Sequence, residues 1–207
     1  IPLAEEIGLI SEIGLAVLRR ACEDTVSAMR RLGRTLSVSV NLAVDQLRPD
    51  IVGIVDDVLH DTGLTPSLLT LEITESMLAD LSEATRNVLT DLRALGVTVA
   101  LDDFGTGYSS MATLRQLPID VMKIDRAFVT DLGHDPGAMA IASAIVAMAR
   151  SLRLHLVAEG IETPAQAAIL RDMGCDELQG FFYSRPLPPE AFHLLPRHLV
   201  PEMSPSQ

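Results

Sequence analysis

Short runs of apolar and β-branched residues recur along the chain from Ser37 onward, and polar residues stand at the end of each run. Between the runs, apolar residues repeat at helical spacing, and a glycine often precedes the next run. This alternation predicts parallel strands connected by helices. The predicted strands are Ser37–Leu42, Leu69–Thr74, Val97–Asp102, Val121–Asp125, His155–Glu159 and Glu177–Phe182.

The ends of the helices are marked by residues with known terminal preferences. Thr163 followed by Pro164 predicts a helix start, and Gln166 can complete a capping box there. A further helix is predicted before the first strand, because apolar and small residues repeat on one face up to position 32. This first helix is predicted to end at Gly33, and later helices are predicted to end in the left-handed conformation at Gly63, Gly96 and Gly174.

Six sequential parallel strands are compatible with an open doubly wound sheet or with six-eighths of a (β/α)8 barrel. An open sheet usually carries a glycine-rich phosphate loop after its first strand, and no such loop occurs here. Every predicted strand instead ends in polar residues, as expected for a barrel whose active site lies at the carboxyl ends of its strands. These residues are Asn41, Glu72 with Glu75, Asp102 with Asp103, Lys123 with Asp125, Glu159 with Glu162, and Gln179.

The expected fold is therefore an α/β, TIM-like (β/α)8 barrel. The length of 207 residues suits a single domain over 1–207, with a core at about 1–195 and a C-terminal tail at 196–207. Because a barrel needs eight strands, the first two are expected to be absent from this chain and to precede Ile1. In agreement, Ile1 and Pro2 are predicted to lead directly into a helix.

Composition narrows the classes of partner. The formal net charge of −12 argues against binding of duplex nucleic acid, which requires clustered Lys and Arg. No apolar run is long enough for a bilayer span, so no membrane contact is expected within this segment. Two cysteines are too few for a disulfide framework, and the expected location is the cytoplasm.

Four carboxylates are predicted to face the mouth of the barrel: Glu72, Asp102, Asp103 and Glu159. Like charges in a small volume either raise some of their pKa values or bind cations. Oxygen ligands suit hard divalent ions such as Mg2+ or Mn2+. The pattern therefore suggests a two-metal site, in which one of the adjacent aspartates bridges both ions.

Several of the polar residues at the strand ends also have a purely structural interpretation. An Asp pair before Phe104 and Gly105 is ordinary turn chemistry, and this alternative is about as probable for the motif alone. Lys123 alone is better explained as a salt-bridge partner for a buried acid. Asn41 and Gln179 can simply cap strand ends. Only the joint pattern favours a functional site.

Six motifs occur in order along the chain: SVNLA at 39–43, LEITES at 71–76, DDFGTGYSS at 102–110, KID at 123–125, VAEGIE at 157–162 and QGFFYSRPLP at 179–188. They resemble the motifs of the EAL domain family, and the resemblance covers nearly the whole chain. It implies a TIM-like barrel that hydrolyses one phosphodiester bond of cyclic di-GMP to give linear pGpG, using Mg2+ or Mn2+.

The resemblance also implies roles for individual residues. One metal would be held by Asn41, Glu72 and Asp102, and a second by Asp102, Asp103 and Glu159. Lys123 would contact the attacking water, Glu159 or a neighbouring carboxylate would accept its proton, and Asp125 and Gln179 would complete the site. Glu75 would anchor the loop at 104–110, which in the family couples metal binding to dimer contacts, and Glu162 would support the same region.

The large departure from the family pattern is the lack of a Glu-Ala-Leu segment in these 207 residues. The parent protein is therefore expected to be a phosphodiesterase, while this exact polypeptide is expected to be weak or inactive if nothing precedes Ile1. The alternative is a non-catalytic cyclic di-GMP receptor or signalling module, and an interaction scaffold ranks last because it leaves the acidic mouth unexplained. A homodimer and an upstream sensory or GGDEF-type domain are the other expected partners.

Overall fold

The structure is a computed structural model that describes residues 8–78, 82–105 and 111–194. Its parallel strands are β1 (Val38–Asn41), β2 (Leu69–Thr74), β3 (Thr98–Phe104), β4 (Val121–Ile124), β5 (His155–Ala158) and β6 (Glu177–Leu178). Its α-helices are α1 (Ile10–Leu32), α2 (Asp50–Thr62), α3 (Glu83–Ala94), α4 (Met111–Leu114), α5 (Pro136–Leu152) and α6 (Pro164–Met173). No helix within the described ranges has the length and apolarity that crossing a membrane requires.

The six strands form one sheet in the order β1-β2-β3-β4-β5-β6, so each strand pairs with its neighbour in sequence. Every connection between paired strands returns the chain to the same end of the sheet, which places all carboxyl ends at one edge. Within the described residues, β6 is not paired with β1, and these two strands are the edges of the sheet. The predicted alternation of strands and helices is confirmed.

Both faces of the inner strand β2 are covered. In β2, Leu71 and Ile73 are completely buried, and Glu72 between them is also buried. A strand with both faces buried is typical of a parallel barrel strand, with one face on the helices and the other toward the interior. The apolar residues on the helix side supply most of the stability, at about 1.5–3 kcal/mol for each fully buried Leu or Ile.

The helix ends follow the predicted chemistry. Gly33, Gly63 and Gly174 are the left-handed C-terminal caps of α1, α2 and α6. At the start of α6, the Thr163 hydroxyl accepts a bond from the Gln166 backbone, and the Gln166 side chain accepts one from the Thr163 backbone. Helix α3 instead ends at Ala94 with Leu95 as its cap, and Gly96 follows with a positive φ.

The sixth strand is much shorter than predicted, because it ends at Leu178 rather than at Phe182. After Leu178 the chain binds the loop that follows β5. The Ile161 N–H donates to the Gln179 carbonyl at 3.0 Å, and the Phe182 N–H donates to the Ile161 carbonyl at 2.9 Å. These tertiary hydrogen bonds replace the continued strand that local β-propensity favoured. The residues at 1–7, at 106–110 of the predicted functional loop and in the predicted tail at 196–207 lie outside the described residues.

Candidate functional site

Four adjacent strands deliver charged side chains to one point at the carboxyl end of the sheet. Glu72 lies in β2, Asp102 in β3 and Lys123 in β4, and Glu159 directly follows β5. The register pairs Glu72 with Ala100 and Lys123 with Val157, so Asp102 and Glu159 each lie two residues further along than the partner of the neighbouring charged residue. The parallel arrangement therefore brings together residues that are widely separated in sequence.

Lys123 binds three carboxylates at once. Its Nζ atom lies 2.6 Å from Glu159 Oε1, 2.9 Å from Glu72 Oε2 and 3.2 Å from Asp102 Oδ1. Because all three oxygen atoms surround one nitrogen, no two of them can be further apart than twice the longest of these distances. We call Glu72, Asp102, Glu159 and Lys123 the acidic cluster. Both sequence-based interpretations of Lys123, the ion-pair partner and the site residue, are compatible with this geometry.

The cluster is shielded from water to different degrees. The side chains of Lys123 and Glu72 are only 6% and 8% exposed, that of Asp102 is 13% exposed, and that of Glu159 is 22% exposed. Glu159 is therefore the carboxylate of the cluster that solvent or a small ligand reaches most easily. In such surroundings charge–charge interactions are stronger than at an open surface.

Burial and charge act in opposite directions on the ionisable groups of the cluster. Burial alone would lower the pKa of Lys123, but hydrogen bonds and attraction from Glu159 and Glu72 outweigh it, so this pKa is raised above its ordinary value. Burial raises the pKa of Glu159, and the bond from Lys123 only partly offsets that rise. The ammonium group is thus held firmly in its charged form at neutral pH.

Asp102 and Asp103 lie at an irregularity in the ladder between β3 and β4. The pairing shifts between Leu101 and Phe104, and Asp103 adopts a left-handed backbone conformation with φ of 54°. The Asp103 N–H also donates to Asp102 Oδ1 at 3.0 Å. A regular strand would point adjacent side chains to opposite faces, and the irregularity removes that constraint. Burial and the charge of Asp102 raise the pKa of Asp103.

Glu75 lies immediately after β2 and is almost completely buried. Its Oε2 atom accepts a bond of 2.8 Å from the Gly105 N–H, two residues beyond Asp103. This contact ties the end of β2 to the start of the loop after β3. The rest of that loop, at 106–110, lies outside the described residues.

The other predicted site residues make contacts of their own, and none of them is among the described ion-pair partners of Lys123. Asn41 pairs in register with Glu72 and is exposed at the edge strand. Asp125 uses its Oδ1 atom to accept a bond of 2.8 Å from the Ala127 N–H. Glu162 forms an exposed ion pair of 2.7 Å with Arg126. Gln179 is exposed and lines a surface cavity of about 470 Å3 together with Phe181 and Arg185.

The donor set of the cluster suits a hard divalent cation. The three carboxylates around Lys123 carry two more negative charges than the ammonium neutralises, and all their donor atoms are oxygen. In the part of the chain that the structure describes, no three His, Cys, Asp or Glu side chains form a ready metal cage. The Lys123 nitrogen lies between the oxygens, and metal binding would require the ammonium group to move aside.

Two side chains beside the site, Arg126 and Phe128, belong to no chemical motif that sequence reasoning singled out. Each packs against a glycine that follows a predicted ligand, at Gly160 and Gly105 respectively. Those glycines were the only signal of a close contact, and the sequence does not tell which side chain makes it.

Comparison with known proteins bears on the same residues. The model of the EAL domain matches residues 1–186. The cyclic di-GMP phosphodiesterase NbdA of Pseudomonas aeruginosa is 46% identical over 189 residues, which cover 91% of this chain and 24% of NbdA. The bifunctional diguanylate cyclase/cyclic di-GMP phosphodiesterase MucR of the same organism is 45% identical over 193 residues, which cover 92% of this chain and 28% of MucR. The chain thus spans about a quarter of the length of these relatives.

Solved structures agree with the predicted fold. A PaMucR phosphodiesterase in complex with c-di-GMP matches with a TM-score of 0.85 and 44% identity, over 91% of this chain and 77% of that chain. The manganese and cy-diGMP complex of Klebsiella pneumoniae BlrP1 matches with a TM-score of 0.75 and 32% identity, over 85% of this chain and 45% of that chain. The six parallel strands are therefore part of a TIM-like barrel, as the sequence predicted.

Proposed function

Because the chain belongs to the EAL domain family, we propose that it is the larger part of a phosphodiesterase site that hydrolyses cyclic di-GMP to linear pGpG with two divalent cations, Mg2+ or Mn2+. The observation that carries the proposal is the convergence of Glu72, Asp102 and Glu159 on one buried point. The names of NbdA and MucR support the activity, and the manganese complex of BlrP1 supports the cofactor.

We propose the ligand sets that the motifs indicate, with Asn41, Glu72 and Asp102 on one cation and Asp102, Asp103 and Glu159 on the other. When bound by these residues, the cations would supply polarisation of the phosphoryl oxygens and a lowered pKa of a nearby water. The irregular backbone at Asp102 and Asp103 supports the bridging role, because it frees adjacent carboxylates from opposite faces of the strand.

The remaining groups have positions that suit the handling of the attacking water. Lys123 is held in its charged form and can donate a hydrogen bond to a water molecule beside the scissile phosphate. Glu159 is hydrogen-bonded to Lys123 and is the most exposed carboxylate of the cluster, so it is the candidate proton acceptor. Gln179 and Asp125 lie at the ends of the neighbouring strands and are proposed to complete the site, and Glu75 and Glu162 to support its loops. Homodimerisation, a cytoplasmic location and an upstream sensory or GGDEF-type domain stay predictions.

The test is a product assay on the full natural polypeptide that contains this chain. We expect cyclic di-GMP to be converted to pGpG in the presence of Mg2+ or Mn2+, and turnover to stop when EDTA removes the metal and to resume when Mn2+ is added back. Chromatography of the nucleotides separates substrate from linear product. Tight binding of cyclic di-GMP without pGpG formation at any metal concentration would contradict the enzyme and favour the receptor.

A further inference from the structure

The turn that follows β4 reaches the loops after both of its neighbouring strands. We call residues 125–130 the β4 turn. One of its side chains, Phe128, contacts the loop after β3, and another, Arg126, contacts the loop after β5. These loops adjoin two predicted metal ligands, because Asp103 lies at the end of β3 and Glu159 directly follows β5.

Phe128 fixes the loop after β3 at Gly105. A Cβ atom added at Gly105 would lie 2.7 Å from Phe128 Cε2, so the ring lies directly against this backbone. Gly105 also has a φ of 97°, which side-chain-bearing residues rarely adopt. On another side, its N–H donates to the buried Glu75 carboxylate. The backbone two residues beyond Asp103 is therefore held between an aromatic ring and a carboxylate.

Arg126 fixes the loop after β5 at Gly160, the residue that directly follows Glu159. A Cβ atom added at Gly160 would lie 2.6 Å from Arg126 Cβ and would clash with its aliphatic stem. The guanidinium end of Arg126 binds Glu162 Oε1 at 2.7 Å, in the same loop. The stem packs against Gly160 and the charged end pairs with the Glu162 side chain, so Arg126 contacts the residues on both sides of Ile161, which is completely buried.

The β4 turn has its own supports. Asp125 caps it by accepting the Ala127 N–H, and the buried Gln166 side chain donates to the carbonyl oxygens of Val129 and Thr130 at 3.2 Å each. Because the turn is fixed at both ends, it can restrain the backbone of the loops that pack on it. Outer contacts of this kind orient metal ligands and commonly change metal affinity or activity by about 10- to 100-fold when they are removed.

We infer that Arg126 and Phe128 are positioning residues, and that they set the backbone of Asp103 and Glu159 for the second metal. The expected effect on activity rests on the proposed function. The fixing of the two loops by Arg126 and Phe128 does not. Neither side chain needs to touch substrate or metal for this role. The β4 turn would hold the two loops in fixed positions relative to each other.

The experiment compares Phe128→Leu and Arg126→Ala with the unsubstituted full natural polypeptide. In the metal-free protein, hydrogen exchange should become at least about tenfold faster at the Gly105 amide in Phe128→Leu and at the Ile161 amide in Arg126→Ala, with exchange in α1 unchanged. In Mn2+ titrations, the weaker of two binding events should lose about 10- to 100-fold in affinity. Turnover should fall in kcat by a similar factor, with KM changed less than about threefold.

Conservative substitutions provide the controls. Phe128→Tyr keeps the ring and Arg126→Lys keeps the stem and charge, and both should retain most of the Mn2+ affinity and kcat. Arg19→Ala removes an exposed ion pair on the distant helices α1 and α2 and should change none of the readouts. Because Arg126 is 59% exposed, its removal tests the inference even if Phe128→Leu impairs folding.

Unchanged hydrogen exchange at both amides in the two variants would overturn the inference. If the unsubstituted protein neither binds Mn2+ nor forms pGpG, the proposed function fails instead. The exchange rates alone then decide whether the β4 turn holds the two loops.

Discussion

Replacing Lys123 with methionine is expected to lower the free energy of unfolding in metal-free buffer at pH 7 by about 3–5 kcal/mol, because three carboxylates then lose their shared counter-ion. Lys123 Nζ lies within 3.2 Å of all three, and its side chain is 6% exposed. Water therefore has little access to the carboxylates and cannot solvate them well once the ammonium group is removed. Methionine preserves most of the volume, so the effect reports charge rather than a cavity. Urea denaturation followed by circular dichroism measures it.

The loss should depend on pH and on metal. Without the lysine, Glu159 loses the hydrogen bond and the attraction that partly offset its burial, so its pKa in the folded state rises further above its ordinary value. The folded state then binds more protons, so stability falls as pH rises and recovers as pH is lowered toward 5. Mn2+ should restore about 2.7 kcal/mol when it is present at a hundred times its dissociation constant.

Arg19→Met is the matched control for Lys123→Met. Its ion pair with Asp61 is exposed, with side chains that are 42% and 53% accessible. Exposed pairs contribute about 0–1 kcal/mol, so this variant should unfold almost like the unsubstituted protein. A Lys123→Met protein with unaltered stability at pH 7 and no response to Mn2+ would show that the cluster is not a site of uncompensated negative charge.

Replacing Asp102 with asparagine is expected to reduce kcat for pGpG formation by about 10³-fold or more, which corresponds to about 4 kcal/mol of transition-state stabilisation. The proposed bridging role makes Asp102 the one side chain shared by both cations. The change should leave the fold intact, because an amide oxygen can still accept the Asp103 N–H bond of 3.0 Å. Stopped assays with saturating cyclic di-GMP and Mn2+ give kcat directly.

Asp61→Asn offers the same chemical change on the surface of α2 and should leave kcat unaltered. Isothermal titration of Asp102→Asn with Mn2+ should show that both binding events are weakened, since each cation loses a charged ligand. Turnover within threefold of the unsubstituted protein would refute the bridging role.

Much of the fold could be predicted from patterns between residues that are close together in the sequence. The period of two in Leu71, Glu72 and Ile73 indicated a carboxylate on the inner face of a barrel strand, and Glu72 is buried there. Thr163 and Gln166 carry their capping chemistry within four residues of each other, so no tertiary information was needed to predict that helix start.

The features that sequence reasoning missed all depend on contacts between distant segments. The early end of β6 results from hydrogen bonds between residues at 179–182 and Ile161. The left-handed conformation of Asp103 depends on how β3 meets β4. The contacts of Phe128 with Gly105 and of Arg126 with Gly160 cross from one loop to another. Strand register and sheet twist fix these distances, and neither quantity can be read from the sequence of one strand.

For Lys123, the sequence left two interpretations open, a salt-bridge partner or a residue of the reaction site. The structure shows that one ammonium group binds three acids, each from a different neighbouring strand or strand end. A structural ion pair would need only one of them. The surplus of acid around a single base is what distinguishes this point from the exposed ion pairs elsewhere in the described chain.

The most direct measurement is the anomalous scattering of Mn2+ in crystals of the full natural polypeptide soaked with the metal. We expect two neighbouring peaks at the carboxyl ends of β2, β3 and β5, with Asp102 in coordination distance of both and the Lys123 ammonium displaced from the position between the carboxylates. Crystals that bind Mn2+ elsewhere, or that keep Lys123 bonded to Glu72, Asp102 and Glu159 at saturating Mn2+, would contradict the two-metal site.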